Sequence, residues 1–241
     1  HIIEPETLGT FILSGHTDQV LALQFSKDGK KLATAGIGMS VHLWDLSTRK
    51  KEATLDSSDQ VNAISFSPND RTLAAATSDG KIHIWELRSR TPKHTIAAHQ
   101  GMINALSFRN ETVLASAGED GLIHLWDTSS GKKLRTLRGH QSSIGALDFN
   151  PLAHNTLASI DANHELYIWD IDKGTYIDKR RNPLFRRFAL KYHPNGNQIV
   201  LATGEHSLAI YQINPWRKLR EFGQHDGEIR SIDFNSEGTQ L

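Results

Sequence analysis

Cysteine is absent from the 241 residues, so neither a disulfide framework nor a thiolate-bound metal can hold the chain together. That composition suits a reducing compartment, and a cytoplasmic setting is expected, with the nucleus left open. Net charge is absent as well. The 27 Lys and Arg balance 27 Asp and Glu at a pI near 7.4, so no global pull toward nucleic acid or an anionic membrane is expected. No apolar run approaches the roughly 18–20 residues of a membrane span. The opening HIIEPETLGT has neither a basic nor a long apolar region of the kind a signal peptide carries. It has no initiator Met either, which raises the expectation that the sequence is a piece of a longer protein. Gly-x-Ser-x-Gly, a phosphate loop and His-Glu-x-x-His are all missing, so no enzyme and no cofactor are expected. The 38% of hydrophobic residues suffices for one sizeable core or two small ones.

What the chain has is a repeat. The stretch SIDFNSEG near the end has relatives in LALQFSKDG (21–29), AISFSPND (63–70), ALSFRNE (105–111), ALDFNPLA (146–153) and ALKYHPNG (189–196). A second signature follows each of these five: VHLWDL, IHIWEL, IHLWDT, LYIWDI and AIYQI. Its anchors Trp44, Trp85, Trp126, Trp169 and Tyr211 are 41, 41, 43 and 42 residues apart. A third mark, SGH (14–16), AAH (97–99), RGH (138–140) or GQH (223–225), precedes the opening in most units. Three marks in register at one period define a repeat architecture.

Each unit reads as four short strands that alternate at period two and are rich in Val, Ile, Leu, Thr and aromatics. Turn residues such as KDGK, SPND, HPNG and EDGL separate them. No segment keeps a 3.6-residue period over a helix length, so the fold class is all-β. A four-stranded sheet repeated in this way buries its faces by stacking radially on its neighbours. The Gly-His, the Trp-Asp (Trp44-Asp45, Trp126-Asp127, Trp169-Asp170) and the spacing between them resemble the WD-repeat (WD40) β-propeller family over essentially the whole chain.

The units fall at roughly 16–56, 57–98, 99–139, 140–182 and 183–224, with 225–241 opening a sixth that stops at its second strand. Residues 8–16 read as a fourth strand with no strands before it. The resemblance implies a ring in which such a strand completes the last blade, and a seven-bladed parent is expected. Six blades need about 15 more residues and seven about 55. An arc completed by another chain or by self-association is the alternative, since open sheet edges invite pairing.

The family's hydrogen-bond network links a Gly-His histidine, a second-strand Ser or Thr, a turn Asp and the Trp. Only the third unit carries all four, as His99, Ser116, Asp120 and Trp126. The first puts Gly38 in the Asp slot. The second pairs Asp79 and Trp85 with Ser57 and Ala75, the fourth puts Asn163 in the Asp slot, and the fifth has lost nearly the whole set. Recurrence in the same slots makes this network structural rather than a hydrolase triad, and Glu119-Asp120 is explained as a turn. His42, His83 and His124 recur two residues before the Trp. Equivalent strands of stacked sheets lie about 10 Å apart, too far to share one ion, so no metal site is expected.

The fifth unit departs most. DKRRNPLFRRF (178–188) packs five basic residues and two Phe into eleven, and suits a solvated strand, an acidic protein partner or a nucleic-acid backbone. The resemblance implies a non-catalytic scaffold whose protein or peptide partners sit on the face bearing the turns before the first strand and between the second and third. Mapped onto this sequence, that face comprises Gln19, Leu21, Ile37, Gln60, Asn62, Ser78, Met102, Asn104, Glu119, Arg186, Phe188, Glu228 and Arg230. Apolar anchors and arginine suit a protein interface. The expected role is the recognition portion of a larger signalling or regulatory protein, with any effector domain outside these residues. The alternatives are an RNA- or DNA-associated scaffold and an enzyme with its site in the central channel. No membrane partner is expected.

Overall fold

A computed structural model describes residues 2–3, 10–204, 206–223, 225–227, 229–235 and 237–241, and only the backbone of Ile2, Ile3, Thr10 and 186–188. Five four-stranded antiparallel sheets follow one another along the chain. Blade 1 is built from Val20–Phe25, Lys31–Gly36, Ser40–Asp45 and Lys50–Asp56. Blade 2 uses Val61–Phe66, Thr72–Thr77, Lys81–Glu86 and Thr91–Ala97, and blade 3 uses Ile103–Phe108, Val113–Gly118, Ile123–Asp127 and Lys132–Leu137. Blade 4 comprises Ile144–Phe149, Thr156–Asp161, Glu165–Asp170 and Thr175–Arg181; blade 5 comprises Phe185–Tyr192, Gln198–Thr203, Ser207–Gln212 and Arg217–Phe222. In every blade the strands pair in sequence order, and the first strands of successive blades lie against one another. The first strands therefore surround the axis and the fourth strands form the rim, the architecture of a β-propeller.

The hydrophobic core is four layers, one between each successive pair of sheets. Between blades 1 and 2, Val41, Leu43 and Leu55 meet Phe66, Leu73 and Trp85. Between blades 3 and 4, Ile123, Leu125 and Leu137 meet Leu157, Tyr167 and Trp169. The other two layers centre on Trp126 and on Tyr211, so each aromatic anchor from blade 2 onward faces the preceding blade. Tyr211 thus holds the Trp position in blade 5, widened by stacking on Trp216 with centroids 4.9 Å apart. Second strands are buried on both faces and carry small residues: Ala33, Ala35, Ala74, Ala75, Ala76, Ala115, Ala117 and Ala158 are fully buried. Alanine there lets large side chains of the neighbouring sheet interdigitate at close packing. Fourth strands, at the rim, are mostly exposed.

The Asp of the Trp-Asp pair works as a turn cap. Asp45 Oδ1 accepts from the Thr48 amide at 2.9 Å, and Asp127 Oδ1 accepts from the Ser129 and Ser130 amides at 2.7 and 2.9 Å. Asp170 does the same for Asp172 and Lys173 at 3.1 and 3.0 Å. These Asx turns close the hairpin between third and fourth strands.

Two expectations differ from what is observed. Thr10–Phe11 does not extend a blade but pairs antiparallel with Ile2–Ile3, a strand-forming neighbour close in sequence. In residues 225–241 no strand occurs among the described residues, although Phe234 packs edge-on against His193 of blade 5 at 4.9 Å.

Candidate functional site

The network behind the candidate face is complete in blade 3. Trp126 Nε1 donates to Ser116 Oγ at 2.8 Å, and Ser116 Oγ lies 2.7 Å from His99 Nε2. His99 Nδ1 sits 3.0 Å from both carboxylate oxygens of Asp120. With the proton on Nδ1, every member is satisfied: indole to hydroxyl, hydroxyl to Nε2, Nδ1 to carboxylate. Burial lowers the His99 pKa and Asp120 opposes it.

Blade 4 corrects the sequence reading. Asn163 does not fill the Asp position; Asp161 does, its Oδ2 2.7 Å from His140 Nδ1, while His140 Nε2 lies 2.6 Å from Ser159 Oγ and Trp169 Nε1 donates to the same hydroxyl at 2.8 Å. The tetrad is therefore complete in two blades. Asp161 was missed because it ends the second strand, two residues earlier than the turn Asp of blade 3. Blade 1 keeps three of the four members joined by two links, with Thr34 Oγ1 2.7 Å from His16 Nε2 and accepting from Trp44 Nε1 at 2.7 Å. Blade 2 uses Ser58 where the reading placed Ser57: the Ser58 hydroxyl donates to Asp79 at 2.9 Å and sits 2.9 Å from His83 Nε2. Burial works against ionised Asp79, but Lys81, Thr77 and Ser58 together hold its pKa at about 2.

The histidines before each Trp serve these networks. His42 stacks on His16 with centroids 3.9 Å apart, and His124 lies 4.5 Å from His99 and meets Thr136 Oγ1 at 2.9 Å. Burial, and next the adjacent histidine, hold both His42 and His124 at a pKa of about 4. His99, Asp120 and His124 place ligand-type atoms within 4.8 Å of one another. Both nitrogens of His99 are already engaged by Asp120 and Ser116, and the His124 ring, inclined 35° to it, spends Nδ1 on Thr136.

The candidate face forms where the turns between second and third strands meet the entry to each first strand. Ile37 is 43% exposed beside the exposed Gln19, whose carbonyl accepts from the Ile37 amide at 3.1 Å. Leu21 and Met102 are half-buried, and Met39, 54% exposed, adds an apolar group the reading did not include. Gln60, Asn62 and Ser78 are drawn into one chain: Gln60 Nε2 donates to Asn62 Oδ1 at 2.9 Å, and Asn62 Nδ2 to Ser78 Oγ at 3.0 Å. Asn62 also reaches the Ile103 carbonyl at 3.4 Å, and Asn104 reaches that of Ile144 at 2.8 Å. These two asparagines therefore tie each blade to the next. Glu119 accepts from the Met102 amide at 3.2 Å. Arg230 is exposed and lines the axial channel, a cavity of about 380 Å³ bounded by the first strands. Glu228 lies outside the described residues, as do the side chains of Arg186 and Phe188.

Among the described side chains, the basic residues of the run do not form one patch. Lys179 meets Glu165 at 3.0 Å and lies over the Tyr167 ring, toward blade 3. Arg180 turns the other way, donating to Asp178 at 2.9 Å and resting over Trp216 of blade 5 at 5.3 Å. Alternation along the edge strand splits the charges between its two faces, and carboxylates next to them offset part of the field.

The family model of the IFT122 first beta-propeller matches residues 8–241. This chain belongs to that family. Among curated relatives, this IFT122-type propeller is 40% identical over 52 residues to a protein of Arabidopsis thaliana described as "Cell division cycle 20.6, cofactor of APC complex". The match takes in 22% of the chain and 12% of that protein's length. Sheets, Trp-Asp caps and His-Ser-Asp-Trp tetrads together make the IFT122-type propeller a WD-repeat β-propeller, a class that mediates protein–protein interaction.

Proposed function

We propose that this propeller is a non-catalytic interaction platform, the recognition portion of a larger intracellular signalling or regulatory protein, and that a protein partner docks on the face around Leu21, Ile37 and Met102. The observation that carries this reading is the exposure of Ile37 and Met39, at 43% and 54%, on a propeller whose tetrads are complete in blades 3 and 4. Apolar groups presented from rigid turns and ringed by Gln19, Gln60 and Glu119 have the composition of an interface core with a polar rim. The Arabidopsis relative, named a cofactor of a complex, supports a role in assembly.

The test is quantitative affinity purification of the full protein against a triple variant, Leu21→Ala, Ile37→Ala and Met102→Ala. Partners recovered with the native protein should fall by about tenfold with the variant, roughly 1.4 kcal/mol of lost affinity. Unchanged recovery from a variant with native thermal stability rejects this face.

A further inference from the structure

The opposite end of the axis carries a second, larger cavity. It measures about 550 Å³ and opens where the turns between first and second strands converge, within the range of small-ligand and peptide pockets. One register position of the first strands runs around the axis as Gln24, Ser65, Ser107, Asp148, Lys191 and, in the sixth unit, Asp233, and its last four members line this cavity. Blades 1 to 3 place neutral residues there and spend them on their neighbours. Gln24 Oε1, for example, accepts from the Phe66 amide at 2.7 Å. The next three units place charges instead.

Hydrogen-bond capacity in this cavity is unevenly spent. Its buried acceptors are occupied: Asp148 takes the Ser107 hydroxyl at 3.4 Å and the Tyr192 amide at 3.0 Å, and Asn150 Oδ1 takes the amides of Leu152 and Ala153 at 3.0 and 2.9 Å. Its cations are held by long ion pairs only, or by none. Lys191 Nζ stands 3.5 Å from Asp148 and 3.6 Å from Asp233, longer than the roughly 2.7–2.9 Å of a charge-assisted hydrogen bond. Among the described residues Arg109 reaches only Asp172, at 3.5 Å. Lys27 Nζ has no acceptor among the described residues. Tyr192, in the same wall, keeps a buried hydroxyl with no hydrogen-bond partner among the described residues. Pro68, Pro151 and Pro194, from equivalent turns of three blades, supply rigid apolar walls.

We propose that this mouth binds a short segment of a partner protein in which one carboxylate stands beside an apolar or proline residue. The carboxylate completes the coordination of Lys191 and Arg109, and the apolar neighbour lies against the prolines. Glu111 and Asp233 stand at the same mouth, so the site accepts a single carboxylate and opposes a polyanion such as nucleic acid.

The test uses the full chain and a fluorescein-labelled peptide, Ser-Pro-Leu-Glu-Pro-Gly, with its Gln isostere and a labelled oligothymidylate as comparators. By fluorescence anisotropy the Glu peptide should bind at least about tenfold more tightly than the Gln peptide or the oligonucleotide. Arg109→Gln and Lys191→Met should each lose that margin. Arg109 is at the rim, so an unchanged melting temperature for R109Q separates lost recognition from lost folding. Leu21→Ala and Met102→Ala should leave peptide binding intact, which keeps this test independent of the docking face. Equal binding of the Glu and Gln peptides, native affinity in R109Q and K191M, preference for the oligonucleotide, or no binding at all would each overturn the proposal.

Discussion

Asp161 and His140 form a buried pair, with Oδ2 2.7 Å from Nδ1, and Asp161 occupies the register position that Gly118 fills in blade 3. Its other oxygen accepts from the Asn163 and Glu165 amides at 2.9 and 3.1 Å. One carboxylate thus closes the tetrad and caps the turn, two tasks that Asp120 also performs from two residues further on, through His99 and the Leu122 amide.

Replacing Asp161 by Ala should therefore cost about 3 kcal/mol, because it leaves a buried imidazole N–H and two amides without acceptors. Asn163→Ala, at an exposed position, should stay within about 0.5 kcal/mol. Urea unfolding of both variants measures the difference, and a larger loss for Asn163 would return the network to the sequence-based placement.

That contrast marks what a sequence of this kind discloses. The strand pattern, the blade period and the layered core were legible because period-two alternation and the Trp anchors repeat at every blade. The blade 3 tetrad was legible because its four residues sit at the family's usual spacing. Asp161 was not, since a network is closed by atoms in space, and a strand end two residues away reaches the same imidazole. Ser58 stood in for Ser57 by the same route. Asn62 and Asn104 were read as docking residues, yet their amides also bind the next blade, and single-chain spacing carries no record of which neighbour a side chain will reach.

Acid should weaken the fold through its histidines. His42 and His124 are held at about 4 by burial, against the usual 6.5, and His16, His83 and His99 are also lowered. A folded-state pKa below the unfolded value means that the unfolded chain binds more protons in the interval, so stability rises with pH there. The contribution is complete above about pH 6.5 and is lost as pH falls from there to about 4. Asp45 and Asp79, at about 2, add their own loss only below about pH 4. Urea midpoints at pH 7, 5.5 and 4.5 should fall steadily, and less steeply in His124→Gln. A flat profile across that window would show that these rings are not neutral in the fold.

The shared hydroxyl of blade 3 can be weighed against its partners. Trp126→Phe removes one donor to Ser116 while keeping the ring in the layer between blades 2 and 3, and should cost about 1 kcal/mol. Ser116→Ala strands both the indole N–H and His99 Nε2 at a fully buried position, and should cost about 2–3 kcal/mol. Because the two side chains share one bond, the double variant should cost less than the sum. Additivity in chemical denaturation would mean that the hydrogen bond does not couple them.

Glycine is required at one end of the second strand and not two residues later. A Cβ on Gly118 would stand 2.1 Å from the Met102 carbonyl oxygen, where the first strand bulges between Ile103 and Ala105. The three nearest atoms are all backbone of Met102 and Ile103, with no flexible atom to yield, so Gly118→Ala should force the bulge open and cost about 2–4 kcal/mol. Because the same carbonyl accepts the Glu119 amide at 2.9 Å, the change should also displace Met102 and Glu119 on the proposed docking face. At Gly38 an added Cβ meets only the Asp18 carboxylate at 3.3 Å, the far end of a side chain that can rotate away. Gly38→Ala should accordingly leave stability within about 0.5 kcal/mol. Thermal melts of the two alanine variants decide the matter: equal melting temperatures would mean that the first strand slides to accommodate a side chain, and the face above blade 3 would then be adaptable rather than fixed.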